Sequence, residues 1–377
     1  MSLPAPAPEQ LETSLELRLR IRREIDAAGG WISFARYMEL ALYTPGLGYY
    51  SGGSAKFGAG GDFVTAPQIS PLFGRVLARQ FAETLKQTGG GILELGAGTG
   101  LLAAHIIGEL EALGVDTPYS ILEVSGDLRA RQQATLQAHA ARLDWLDALP
   151  ADFRGVVFGN EVLDALPTHL IHWTQDGPLE RGVTWQGESL GWAERPIANP
   201  ALLAQAAALN LTPGYVSEIS LATPALVTSL AEILEAGLLC FIDYGFGRSE
   251  YFHPQRHMGT LRAHYRHHAL DDPFHLPGLC DLTAHVDFTG VADAGLAAGL
   301  DICGYTTQAA FLLAGGITAL LAETPADAAP GYLPLSNGVQ MLVSPAEMGE
   351  LFKVIGMTKG GVACPAAFSL SDQRYRL

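Results

Sequence analysis

The chain has 377 residues and a formal charge of −16, with 39 acidic against 23 basic side chains. That balance disfavours a general binder of nucleic-acid backbones, which needs a basic face. A hydrophobic share of 48% suits a globular protein with a large core, and cysteines at 240, 280, 303 and 364 form no C-x-x-C pair, which argues against a disulfide scaffold or a cysteine zinc site.

Met1 to Gln10 is Pro/Ala-rich without an apolar run, so it reads as a disordered tail and not as a signal peptide. Leu17, Ile21 and Ile25 share one helical face, and Ser33 is placed to cap a second helix carrying Phe34, Met38 and Leu42. Residues 11–88 therefore form an N-terminal helical cap. Within it, the stretch from Gly58 to Ser70 is too rich in breakers for an element and reads as a functional loop before a helix at 71–87.

The centre of the chain is Ile92 to Gly100, followed by a helical pattern from Leu101 to Ile107. A short apolar run, an acid and three glycines at alternate positions spell strand, tight turn and helix start. The spacing is Gly-x-Gly-x-Gly, with Leu101 where a dinucleotide fingerprint has glycine. Glu94 beside such a turn suits a ligand carrying cationic groups better than a pyrophosphate. The stretch resembles motif I of class I methyltransferases, which bind S-adenosylmethionine.

After this turn the pattern alternates strand and helix: strands at 119–124, 143–146 and 153–158 follow in turn. Glu123 ends the second, where an acid can accept from both ribose hydroxyls of a nucleoside. Trp145 and Leu146 end the third. Gly159 to Pro167 follows the fourth with Asn160 and Glu161, polar residues that are costly at a buried strand end unless they face a site. Residues 168–195 read as an antiparallel hairpin insertion, 223–235 as a helix and 238–243 as a strand. From Arg248 to Asp281 no element is evident, and six histidines fall there; the segment reads as a lid without a metal. A helix at 285–299, a strand at 301–306, a helix at 307–321 and a final strand at 353–358 complete the chain. Acids and glycines interrupt the Ala/Leu-rich region 291–322, which argues against membrane insertion.

The expected fold is α/β: a class I, Rossmann-like sheet, mostly parallel with a final antiparallel strand, carrying a helical cap and insertions. It forms one methyltransferase domain over residues 89–377, with insertions at about 168–215 and 245–284. With these residues placed, the chain resembles the MidA-like family of S-adenosylmethionine-dependent methyltransferases over nearly its whole length. The resemblance is carried by Ile32 to Met38, Gly61 to Pro67, Leu93 to Gly100, Gly159 to Pro167, Asp243 to Gly245, Gly259 to Arg262 and Asp281 to Phe288. Gln68 stands where the family usually has Glu.

Mitochondrial members of that family assist assembly of respiratory complex I by methylating an arginine of a core subunit. The resemblance therefore implies a protein arginine methyltransferase acting on a protein substrate, with S-adenosylhomocysteine as product. A small-molecule methyltransferase and a cofactor-binding assembly factor with little turnover are the alternatives. Glu94, Gly96, Gly98, Thr99, Gly100, Glu123, Trp145, Leu146, Asn160 and Thr65 are the expected cofactor contacts. Glu161 and Asp62 are the expected catalytic carboxylates, since a guanidinium acceptor needs acids to clamp it. Arg262 and Arg266 are expected to anchor the lid to acids in the core. No nucleic acid is expected as partner, the oligomeric state is open to a homodimer, and a cytoplasmic location is expected from charge and cysteine usage.

Overall fold

A computed structural model describes residues 3–52, 65–325 and 327–377. The chain separates into two compact units: one drawn from residues up to 63, 164–224 and 249–285, the other from 64–163, 225–248 and 286–377.

The second unit is built on a central sheet. Its strands are β1 (Gly91–Leu95), β2 (Tyr119–Leu122), β3 (Leu143–Leu146), β4 (Phe153–Asn160), β5 (Leu234–Phe246), β6 (Asp301–Thr307) and β7 (Phe352–Lys359), in the order β6-β7-β5-β4-β1-β2-β3. A short strand, Val286–Asp287, adds to β5. Strands β1 to β5 run parallel, and β7 is antiparallel to both β5 and β6. This is the sheet expected from the sequence, including its final antiparallel strand. Strands covered on both faces need unbroken apolar runs. Accordingly Val156, Val157 and Phe158 are fully buried, as are Leu239 and Phe241.

Helices α1 (Pro71–Thr88) and α2 (Leu101–Ala112) pack on this sheet within one hydrophobic cluster. Gly74 lets them approach, since a Cβ there would lie 2.6 Å from that of His105. The register then decides where the loops emerge. Leu95 pairs with both Leu122 and Gly159, and Asn160 pairs with Ile242. The carboxyl ends of β1, β2, β4 and β5 are thereby level, which is where ligands bind in open parallel sheets.

The first unit holds helices Pro8–Ala27, Phe34–Tyr43 and Pro200–Leu209 and two antiparallel sheets. The helix from Pro8 starts inside the stretch read as a disordered tail; proline suits a first helical turn, and Gln10 Oε1 accepts the Ala7 amide. Ser33 caps the next helix by accepting the Arg36 amide, as expected. The insertion read as a hairpin is a three-strand meander, His169–Thr174, Gly177–Gln186 and Ser189–Pro196, which also pairs with Val216–Ile219.

The segment read as structureless contains a three-stranded sheet, with Arg262–Tyr265 between His268–Leu270 and Asp281–Thr283. Its hairpin turn was hidden because Arg266 and His267, at φ 47° and 65°, occupy left-handed positions where asparagine and glycine give the usual signal. The helix expected over 307–321 is two, Gln308–Ala314 and Ile317–Ala322, divided by Gly316 at φ 91°.

Candidate active site

The site is assembled in the second unit from the loops at the carboxyl ends of β1, β2, β3 and β4. Gly96, Gly98 and Gly100 have φ of 59°, 54° and 83°, values that favour glycine at all three alternate positions. Gly96 is exposed and Thr99 half-buried in the turn. A Cβ at Gly100 would crowd Leu136 and the Gln132 backbone at 3.2–3.3 Å, so the turn is pressed against the helix Gly126–Thr135, here α3, and the residues after it.

Glu94 lies inside β1, 2% exposed, and its Oε2 accepts the Tyr119 phenol at 2.6 Å. Burial pushes its carboxyl up to about 8; the phenol opposes the shift and the neighbouring Glu123 adds to it. Glu123 follows β2. Its Oε1 accepts the Ser125 amide at 2.9 Å and its Oε2 accepts Gln132 Nε2 at 2.9 Å. Burial raises this carboxyl as well, against the pull of those donors and of Arg129.

Gln132, on α3, also donates to the Gly98 carbonyl at 3.0 Å and accepts Trp145 Nε1 at 3.1 Å. Trp145 and Leu146 end β3, and the Leu146 carbonyl accepts Arg129. The glycine turn, Glu123 and Trp145, three separate segments of sequence, are thus joined by one buried amide. Sequence reading missed Gln132, although a signal exists: it sits between Leu128 and Leu136 at four-residue spacing, a polar residue in a buried apolar stripe.

The loop after β4 completes the site. Asn160 Nδ2 donates to Glu161 Oε1 at 3.1 Å, while Asn160 Oδ1 is buried and has no partner among the described residues. Glu161 has φ 53°, a left-handed position that costs a non-glycine residue on the order of 1 kcal/mol or more and clusters at functional sites. The strain is held by β5. The Glu161 amide donates to the Ile242 carbonyl, and Asp243 Oδ2 accepts the amides of Val162 and Leu163 at 3.1 and 2.9 Å. Asp243 Oδ1 accepts the Tyr244 amide of its own strand, so this fully buried carboxylate ties the loop after β4 to β5.

A glycine cradle, an oriented acid at the second strand end and an orphaned buried acceptor on Asn160 suit a nucleoside ligand with amine and hydroxyl donors. Comparison with known proteins agrees. Residues 76–306 match a family model described as "Putative S-adenosyl-L-methionine-dependent methyltransferase". The Drosophila melanogaster "Protein arginine methyltransferase NDUFAF7 homolog, mitochondrial" is 30% identical, with 95% of this chain and 90% of that protein covered. The chain belongs to this methyltransferase family. The Danio rerio protein arginine methyltransferase NDUFAF7 is 29% identical over 86% of this chain and 83% of its own. A crystal structure of a Burkholderia thailandensis protein bound to S-adenosyl-homocysteine is 50% identical, covers 100% of both chains and has a TM-score of 0.96. The methyltransferase described here uses S-adenosylmethionine as its methyl donor.

Several expectations change. The curated relatives are named mitochondrial, which overturns the cytoplasmic location. Acidic charge and unpaired cysteines suit any reducing compartment and do not choose between two of them. Asp62 lies outside the described residues. Thr65 begins a short helix, Ala66–Ile69, and its amide donates to Gln68 Oε1 at 3.2 Å. Among the described residues the lid arginines are seen with other partners than the core acids expected: Arg262 pairs with exposed Asp271 at 3.6 Å, and Arg266 donates to the Ala5 carbonyl and Gln10.

Proposed function

We propose that this methyltransferase methylates an arginine side chain of a protein substrate. Bound at the glycine turn, S-adenosylmethionine would supply an electrophilic methyl group on its sulfonium. In this reading Gly96, Gly98, Thr99 and Gly100 approach the ligand with backbone, Glu94 would release its proton to pair with the cationic amine, and Glu123 accepts from the ribose hydroxyls. Trp145 and Leu146 border the adenine, Asn160 receives a donor at its buried Oδ1, and Thr65 closes the edge. Glu161 and Asp62 are assigned to the guanidinium. Their charge would hold it in line with the methyl carbon, and one of these carboxylates would accept the proton that leaves as the N–C bond forms.

The observation that carries this reading is the loop after β4. A half-buried carboxylate is held at an unfavourable backbone angle by a fully buried Asp243, directly after the orphaned acceptor of Asn160. Such pre-organisation suits a cationic acceptor beside the methyl group. The relatives named protein arginine methyltransferases support the same acceptor. The test is transfer of labelled methyl from S-adenosylmethionine into a lysate, followed by amino-acid analysis of the labelled material. Label on protein arginine that falls at least 100-fold in Glu161→Gln, with cofactor affinity kept within about threefold, is the expected result. Label confined to small molecules would replace the protein substrate, and full labelling by Glu161→Gln would remove Glu161 from the chemistry.

A further inference from the structure

Gln132 is wholly buried, so it presents no atom to a ligand, yet every polar atom of its amide is engaged. Nε2 donates to Glu123 Oε2 and to the Gly98 carbonyl, and Oε1 accepts the indole N–H of Trp145. Those partners allow a single orientation of the amide. The indole is only a donor, whereas the carboxylate and carbonyl are only acceptors, so exchanging oxygen and nitrogen would break all three bonds. The Glu123 carboxylate is correspondingly fixed. One oxygen accepts from Gln132 and the other from the Ser125 amide, with the Val124 backbone as a further donor.

We infer that Gln132 is a positioning residue for ribose recognition, holding Glu123 in register with the glycine turn and the Trp145 strand end before the cofactor arrives. This rests on the assignment of Glu123 to the ribose. An apolar residue of the same length would fill the volume but would leave Glu123 with one fewer constraint, and a buried carboxylate with one fewer donor. A carboxylate at 132 keeps the shape and the acceptor for Trp145, but it removes both donors and faces Glu123 with like charge.

The test measures binding of S-adenosylhomocysteine and of its 2′-deoxy analogue by calorimetry to the full-length protein and to the variants Gln132→Met and Gln132→Glu. Thermal melts identify which variants are folded. The unsubstituted protein should bind S-adenosylhomocysteine and prefer it to the 2′-deoxy form by about tenfold or more. Each folded variant should lose roughly tenfold affinity for S-adenosylhomocysteine but less than about threefold for the 2′-deoxy form, which erases the preference. Equal losses for both ligands would assign Gln132 a merely structural role, and unchanged affinities would remove it from the site; either overturns the inference. Absence of the hydroxyl preference in the unsubstituted protein would instead overturn the assignment of Glu123 on which it stands.

Discussion

Glu94 is an acid that the fold holds out of water. With 2% exposure and a phenol as hydrogen-bond partner, its carboxyl rests near 8 instead of the ordinary 4.5. The sign of the stability effect follows directly. Between about 4.5 and about 8 the unfolded chain has released this proton and the folded chain retains it, so stability falls as pH rises through that window. At pH 7 the loss is at most on the order of 3 kcal/mol. Glu94→Gln, which keeps the shape and stays neutral, should flatten this decline. Denaturant midpoints of the ligand-free protein at pH 5 and pH 8 measure it, and an unchanged slope in the variant would remove Glu94 as the cause. The acid itself was legible in sequence from its place before the glycines. Its coupling to Tyr119, 25 positions later, was not, because only the parallel pairing of β1 with β2 brings the two side chains together.

At the scale of elements, local signals and tertiary closure contributed differently. The strand–turn–helix at the glycines, the cap at Ser33 and the unbroken apolar strands are each specified by a few neighbouring residues, and they were readable. The three-stranded sheet around Arg262–Tyr265 was not, since its turn uses arginine and histidine in left-handed backbone and its strands have only three or four residues. What holds the loop before it is remote. Glu218, 3% exposed, accepts the amides of Thr260 and Leu261 at 2.8 Å each, next to Gly259, whose Cβ would lie 2.4 Å from that carboxylate. Gln68 gives a sharper case. Its departure from the family's Glu leaves a cap intact, because Oε1 accepts the Thr65 amide and either residue does so. Gln68→Glu should change stability by less than about 0.5 kcal/mol, whereas Gln68→Ala should cost about 1 kcal/mol. Chemical denaturation distinguishes them, and a strong loss in Gln68→Glu would mean the amide nitrogen has a task of its own.

For the whole molecule, cofactor binding and folding are linked. A ligand that binds only the folded chain at 100 times its dissociation constant stabilises it by about 2.7 kcal/mol. S-adenosylhomocysteine should therefore raise the melting temperature of this protein. Gly98→Val should abolish that rise, since a β-branched residue at φ 54° is strained and its side chain fills the approach to the turn. A full ligand-induced shift in that variant would relocate the site.

The parallel-sheet architecture, the glycine turn and the acid at the end of β2 are legible in the sequence because each is written in a short run of residues with a distinctive period or spacing, and the family is legible from a resemblance spread over nearly the whole chain. The tertiary structure decided the rest: which amide aims Glu123, which carboxylate holds the strained turn at Glu161, and which strand ends stand level. Those are properties of hydrogen bonds between residues up to 81 positions apart, and no local pattern encodes them.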